Sequence, residues 1–319
     1  MSSSNNTAPT LSIIVPIFNE ADVIQLLAER LKIVFSSAQC VKNKIAHVEY
    51  IFVDDGSQDE SSMLLSQFFE VGREAKIIRF SRNFGHQPAV TAGLEHSSGD
   101  LVAIIDADLQ DPPELIWQMI DQWRAGFDVV YGLRVNRKEN RIKRIAYWGF
   151  YRVYRWLSPI QVPVDSGDFC LMSRRVVNQI NALPERLRFV RGLRSWVGFK
   201  QCGITYDRPE RAAGATKYNF HRLYKLATDG ITSLSVRPLQ VAQVLAFSYL
   251  FASIVLTFLI TYRLLLGQVA NPEMYLLILL LLFSNSLILF SIYVLGAYIG
   301  RSYQEIKGRP TYIIQEIIQ

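Results

Sequence analysis

The sequence predicts an α/β protein with a mostly parallel sheet, followed by an amphipathic helix and two membrane-spanning helices. Apolar runs ending in carboxylates and turn residues occur at three places, Leu11–Glu20, Tyr50–Ser57 and Asp100–Glu114, with helical stretches between them. Strands buried on both faces read as unbroken apolar runs, and ligands of parallel sheets gather beyond the strands' carboxyl ends. Further on, Pro238–Tyr262 and Met274–Gly300 contain no charged residue. Both exceed the ~20 residues needed to cross a hydrocarbon core.

Each predicted strand ends on chemistry. The first stops at Pro16, Ile17, Phe18, Asn19 and Glu20, and the second at Asp54, Asp55 and Gly56. After the third come Asp106-Ala107-Asp108-Leu109-Gln110-Asp111-Pro112-Pro113-Glu114. An ionised carboxylate buried without a partner is costly, and two packed together raise the pKa of one of them. A divalent cation removes the conflict, because hard cations take oxygen ligands and Mg²⁺ commonly uses one or two carboxylates plus substrate phosphates. An isolated Asp-x-Asp pair reads equally well as solvated turn acids. Three carboxylate-bearing strand ends in one sheet favour a ligand site.

These segments resemble the family 2 inverting glycosyltransferases. The matching stretches are V-P-I-F-N-E from Val15, V-D-D-G-S from Val53, S-R-N-F-G-H-Q-P-A-V-T-A-G-L from Ser81, and D-A-D-L-Q-D-P-P-E from Asp106. Asp165–Arg174, Val190–Leu193, Arg211–Tyr218 and Gly300–Pro310 extend the resemblance to the polyprenyl-phosphate branch. Phe18 stands where tyrosine is frequent in that family, and Ala215 is smaller than many residues at its site.

The resemblance implies a GT-A (Rossmann-like) catalytic domain that transfers a hexose, with inversion, from a nucleotide diphosphate sugar to a polyprenyl phosphate. UDP-glucose and undecaprenyl phosphate are the expected pair; GDP-mannose and dolichol phosphate are the alternative. Asp106 and Asp108, with Gln110, would hold Mg²⁺ or Mn²⁺ against a diphosphate whose charge grows in the transition state. Pro16, Phe18 and Glu20 would line the nucleotide pocket, and Asp54 or Asp55 would accept hydrogen bonds from base or ribose. Arg211 and Lys217 would close over the diphosphate, or else serve as membrane-surface charge. The acceptor phosphate is already anionic and needs cations more than a base. Arg134 is the first candidate and Arg144 the second, since arginine's planar fork bonds two oxygens at once. Asp165 and Asp168 would orient a sugar hydroxyl or an arginine, act as a base, or cap a turn. A structural role is expected for His86.

The net charge of +6 hides a division along the chain. Residues 1–133 hold 9 Lys/Arg against 18 Asp/Glu, whereas residues 134–237 hold 21 against 7. Metal on the acidic side and anionic lipid on the basic side account for this balance. No nucleic-acid motif accompanies the basic stretch, so nucleic acid is not an expected partner. Cys40, Cys170 and Cys202 lack metal or disulfide spacing, and P-loop and G-x-S-x-G motifs are absent.

The expected organisation is a disordered lead-in at 1–10 without signal-peptide features, a catalytic domain at 11–218, an amphipathic interface helix at 219–237, a transmembrane hairpin at 238–300 and a tail at 301–319. Arg222, Lys225 and Arg237 precede the first span, and Arg301, Lys307 and Arg309 follow the second. The positive-inside rule then places both termini and the catalytic domain in the cytoplasm, in a multi-pass protein of the inner membrane. Ser284, Asn285, Ser286 and Ser291 offer contacts for a homo-oligomer. A processive synthase is disfavoured, because Q-x-x-R-W and further spans are missing. A non-catalytic membrane-anchored binding protein is disfavoured by the retained acids.

Overall fold

The computed structural model describes residues 8–135, 166–207 and 272–319, with scattered helical positions between 244 and 262. One unit holds the sheet and includes Arg309–Gln319; the other holds the long C-terminal helix. The strands are β1 (Leu11–Ile17), β2 (Val48–Asp54), β3 (Ala75–Phe80), β4 (Leu101–Ile104), β5 (Val129–Val135), β6 (Ser166–Ser173), β7 (Gln201–Asp207) and β8 (Ile314–Ile318). Their spatial order is β7-β5-β6-β4-β1-β2-β3-β8. Only β6 and β8 run against the rest. The expected mostly parallel α/β sheet is therefore present.

Side-chain alternation gives this sheet two apolar faces. Leu11, Ile13, Val15 and Ile17 of β1 pack with Val23, Ile24 and Leu27 of α1 (Ala21–Val34) and with Ile116, Met119 and Ile120 of α5 (Leu115–Arg124). The short α2 (Ser37–Lys42) and α3 (Ser61–Phe68) add Cys40 and Leu65 to the same cluster. Ile14 points the other way, into a core with Ala89, Val90 and Leu94 of α4 (His86–His96) and Val176, Val177 and Ile180 of α6 (Arg174–Ala182). Val190, which opens α7 (Val190–Trp196), joins that face. Each fully buried Ile or Leu contributes about 1.5–3 kcal/mol, so central strands with both faces covered dominate the stability.

The C-terminal segment departs from the expected boundaries. α8 (Pro272–Ile306) spans 35 residues, about 52 Å at the α-helical rise, and continues past Gly300. Gly308, at φ +67°, marks its stop. The chain then returns to the sheet, with β8 pairing antiparallel to β3. Tyr312 stacks on Phe80 at 4.9 Å, and its hydroxyl donates to Glu95. Five residues of alternating Ile and polar character are too short a pattern to predict such a strand.

Among the described residues, one helix is long and apolar enough to cross a membrane, with the segment Phe283–Ile306 at mean hydropathy 1.5. Its Phe283, Leu289, Ile292, Leu295 and Ile299 are exposed. The other expected span lies largely outside the described residues, although Val244, Phe247, Phe251, Ile254 and Phe258 within it are helical and exposed. The expected interface helix at 219–237 lies wholly outside them.

Candidate active site

Strand register gathers the acids at one edge of the sheet. Ile17 of β1 is level with Asp54 of β2, Ile14 with Ile104 of β4, and Ile104 with Cys170 of the reversed β6. The loops after β1, β2 and β4 therefore open on the same side as the start of β6, which carries Asp168. Arg134, near the end of β5, is on this side too, because Leu133 pairs with Ser166.

The β2 turn is braced from within. Asp54 has no exposed surface; its carboxylate accepts from the Ser57 N–H at 2.7 Å and from the Ser62 hydroxyl, with Arg79 Nε 3.7 Å away. Asp55 accepts from the Phe84 and Gly85 N–H groups at 2.6 and 2.8 Å. Burial raises its pKa, partly offset by those bonds. Gly56 sits at φ +69°, where a Cβ would lie 2.5 Å from the Arg82 carbonyl carbon, so glycine lets this turn close on the Ser81–Gly85 loop. The structure thus gives Asp54 and Asp55 a task other than nucleotide contact: both tie loops together and offer almost no free surface. Pro16, Phe18 and Glu20 are only partly buried.

The acidic turn begins where Ile105 N–H donates to the Ile14 carbonyl at 3.0 Å. Leu109 takes φ +57°, a conformation bulky L residues rarely adopt and one that recurs at functional turns. Asp108 Oδ1 accepts from the Gln110 N–H at 3.1 Å, while Asp111 is fully buried. Asp106 is 28% exposed. Burial raises its pKa and His86 opposes the rise, whereas Asp111, Asp168 and Asp108 reinforce it.

Asp168 is met by His86 Nε2 at 3.2 Å, Gln87 Nε2 at 3.3 Å and Arg191 Nε at 3.4 Å. Burial disfavours its charge, but Arg191, His86 and Arg194 outweigh burial and hold it well below the usual carboxylate range. A carboxylate so held is a poor base. Of the expected roles, orienting an arginine is the one this geometry supports. His86 also lies 3.8 Å from Asp106. Burial works against its charge, yet the bond to Asp168 and the charges of Asp106 and Asp168 lift its pKa to about 9. His86 is thus an imidazolium at neutral pH, set between two site carboxylates.

Arg134 pairs in register with Tyr206 of β7. Its Nε donates to the Tyr206 hydroxyl oxygen at 3.2 Å, and its Nη2 lies 3.6 Å from Asp111 Oδ1, which also accepts from the Tyr206 hydroxyl. Burial opposes the Arg134 charge, but Asp111 and Tyr206 raise its pKa. Arg144, Asp165, Arg211 and Lys217 lie outside the described residues.

The donor set suits a hard cation. Four carboxylates converge, and Asp106, the partly exposed one, carries the unfavourable charge repulsion that a divalent ion relieves. Among the described residues no group of three or more His, Cys, Asp and Glu side chains is arranged to hold a metal. Asp106 and Asp108 would supply two carboxylates, leaving the remaining positions to Gln110 and to substrate oxygens, as Mg²⁺ sites often do.

Sequence reasoning had quoted the segments holding His86, Gln87, Arg191 and Asp111 without giving them site roles. Tyr206 carries no motif signal; it enters through the pairing of β5 with β7, two strands 65 residues apart in the chain between Gly132 and the end of that interval remaining unpaired by any local pattern.

The chain belongs to glycosyl transferase family 2, whose model matches residues 12–180. It is 42% identical to an uncharacterized glycosyltransferase, YkcC, of Bacillus subtilis (strain 168), over 96% of this chain and 93% of that one. The bactoprenol glucosyl transferase of Shigella phage SfII is 38% identical, over 96% and 97%. Glucosyl-3-phosphoglycerate synthase from Mycobacterium tuberculosis, solved with Mn²⁺, uridine-diphosphate and phosphoglyceric acid, is 17% identical over 71% of this chain and 77% of that one, with a TM-score of 0.48.

Proposed function

We infer that the protein is a membrane-bound transferase moving a hexosyl group from a nucleotide diphosphate sugar, UDP-glucose in the first instance, to undecaprenyl phosphate. The observation that carries this reading is the convergence of the Asp106–Asp108 turn with Arg134, Arg191 and His86 at one sheet edge. The relatives named bactoprenol glucosyl transferase support it across nearly the whole chain.

The donor's nucleoside lies against Pro16, Phe18 and Glu20, on loops that Asp54 and Asp55 brace. Mg²⁺ or Mn²⁺, held by Asp106 and Asp108, supplies charge neutralisation at the leaving diphosphate. Arg134 holds the acceptor phosphate by its fork. An acceptor oxygen forms the new bond to the anomeric carbon as the bond to the diphosphate breaks on the opposite face, which inverts that carbon. The phosphate nucleophile is already ionised, so Asp168 need not accept a proton and keeps Arg191 and His86 in place. Arg144, Arg211 and Lys217 supply further cations. The apolar α8 anchors the protein in the inner membrane, with the catalytic domain and both termini in the cytoplasm and its helices available for homo-oligomer contacts.

The test is transfer in detergent from radiolabelled UDP-glucose, GDP-mannose and UDP-GlcNAc to undecaprenyl or dolichyl phosphate. Glucosyl-lipid formed only from UDP-glucose is the expected result. Mannosyl-lipid would move the specificity to GDP-mannose. No lipid product from any donor, with donor binding intact, would overturn the acceptor class.

A further inference from the structure

We propose that Tyr206 and Asp111 are positioning residues that hold the Arg134 guanidinium ready for the acceptor phosphate, and that Gly167 keeps the space it occupies. The assignment rests on the proposed acceptor role of Arg134.

Three separate elements meet at this guanidinium. β7 presents Tyr206 beside Arg134 in register. The acidic turn contributes Asp111, with no exposed surface. β6 contributes Gly167, where a Cβ would stand 2.7 Å from Arg134 Nη2. Any side chain there would displace the fork.

The hydrogen bonds have a fixed direction. Burial raises the Tyr206 pKa, as do the Asp111 charge and hydrogen bond, so the hydroxyl keeps its proton. Tyr206 therefore donates to Asp111 and accepts from Arg134 Nε. A guanidinium has five N–H donors, and these contacts leave several for a ligand. Apolar residues of the same size would fill this space more cheaply than a tyrosine, a carboxylate and a guanidinium. What the polar set adds is orientation: a long side chain, otherwise drawn toward Asp106, is ordered before the ligand arrives.

The ring of Tyr206 packs edge-on against Phe169, with centroids 5.8 Å apart. Tyr206→Phe keeps that contact and removes only the hydroxyl. In full-length protein in detergent, we expect the KM for undecaprenyl phosphate to rise about tenfold, the size of one lost hydrogen bond. The KM for UDP-glucose should stay within about twofold, and the melting temperature should barely move. Gly167→Ala should raise the lipid KM as well. In an Arg134→Ala background, Tyr206→Phe should have no further effect, because its influence passes through the arginine. Additive losses in that background, or a raised UDP-glucose KM with the lipid KM unchanged, overturn the assignment. A wild type that forms no glucosyl-lipid overturns the acceptor reading itself and the assignment with it. A wild type that transfers, with Tyr206→Phe indistinguishable from it, overturns the assignment alone.

Discussion

Asp168→Asn tests whether the site's charges are balanced as the geometry requires. The carboxylate is 12% exposed and faces Arg191 at 3.4 Å and His86 at 3.2 Å. Removing one member of a buried ion pair costs ~3–5 kcal/mol. Asparagine keeps one acceptor oxygen, so the loss should fall at the low end, near ~3 kcal/mol, or roughly 6–12 °C in melting temperature. The pH dependence has a definite sign. The folded pKa of Asp168 is depressed, so its contribution is present above the unfolded value of ~3.9 and is lost as pH falls below it. The folded pKa of His86 is raised to about 9, so its contribution is complete below ~6.5 and is lost as pH rises toward that value. The gap between wild type and variant should therefore be widest near pH 5–6 and narrow on both sides. Thermal unfolding followed by intrinsic fluorescence across that range measures it. A gap under ~2 °C at pH 6, or one that does not change with pH, would refute the ion-pair account.

Other outcomes follow from the same geometry. Asp108→Asn should unfold as cooperatively as wild type while metal-dependent turnover drops roughly a hundredfold or more; full activity with the same metal dependence would remove the Asp-x-Asp turn from the chemistry. Arg134→Ala should raise the KM for lipid phosphate roughly ten- to hundredfold with calorimetric UDP-glucose affinity nearly intact, and Arg134→Lys should recover only part of the loss. Abolished nucleotide binding would instead move Arg134 to the donor side. A cysteine introduced between Gly267 and Asn271 should react with an impermeant reagent from outside the cell, whereas one introduced between Thr7 and Thr10 should stay protected until the membrane is opened; the reverse pattern would invert the topology.

Much of the sheet was legible because its strands are buried on both faces. Leu11–Ile17, Tyr50–Asp54 and Leu101–Ile105 are uninterrupted apolar stretches whose ends carry acids, so both the fold class and the site's edge follow from local pattern. β8 was not legible, since Ile314–Ile318 becomes a strand only through pairing with β3 and through Tyr312 stacking on Phe80. Within the site, residue type pointed to Asp106, Asp108 and Arg134 as ligand-facing groups. It misplaced Asp54 and Asp55, because an acid after a strand looks alike whether it faces a ligand or caps a neighbouring loop. Only the bonds from Ser57, Phe84 and Gly85 tell the two cases apart.

The charge division along the chain takes on a different meaning in space. β6, from the basic half, inserts between β4 and β5 of the acidic half and pairs with both. Acids and bases that are segregated in sequence therefore alternate across one edge: Asp111 against Arg134, Asp106 against His86, Asp168 against Arg191. Each close pairing lowers the cost of burying its charges, and fixed opposite charges in a low-dielectric setting act more strongly than they would in water. A diphosphate leaving group and a phosphate acceptor repel each other, and one of them must be brought against the other for transfer to occur. An edge with cations on both sides of a carboxylate turn can hold two such anions on separate contacts, with the turn's own repulsion left for a divalent ion to offset. The reversed strand β6 is what creates that arrangement, because it sets Asp168 at the open edge between the ends of β4 and β5.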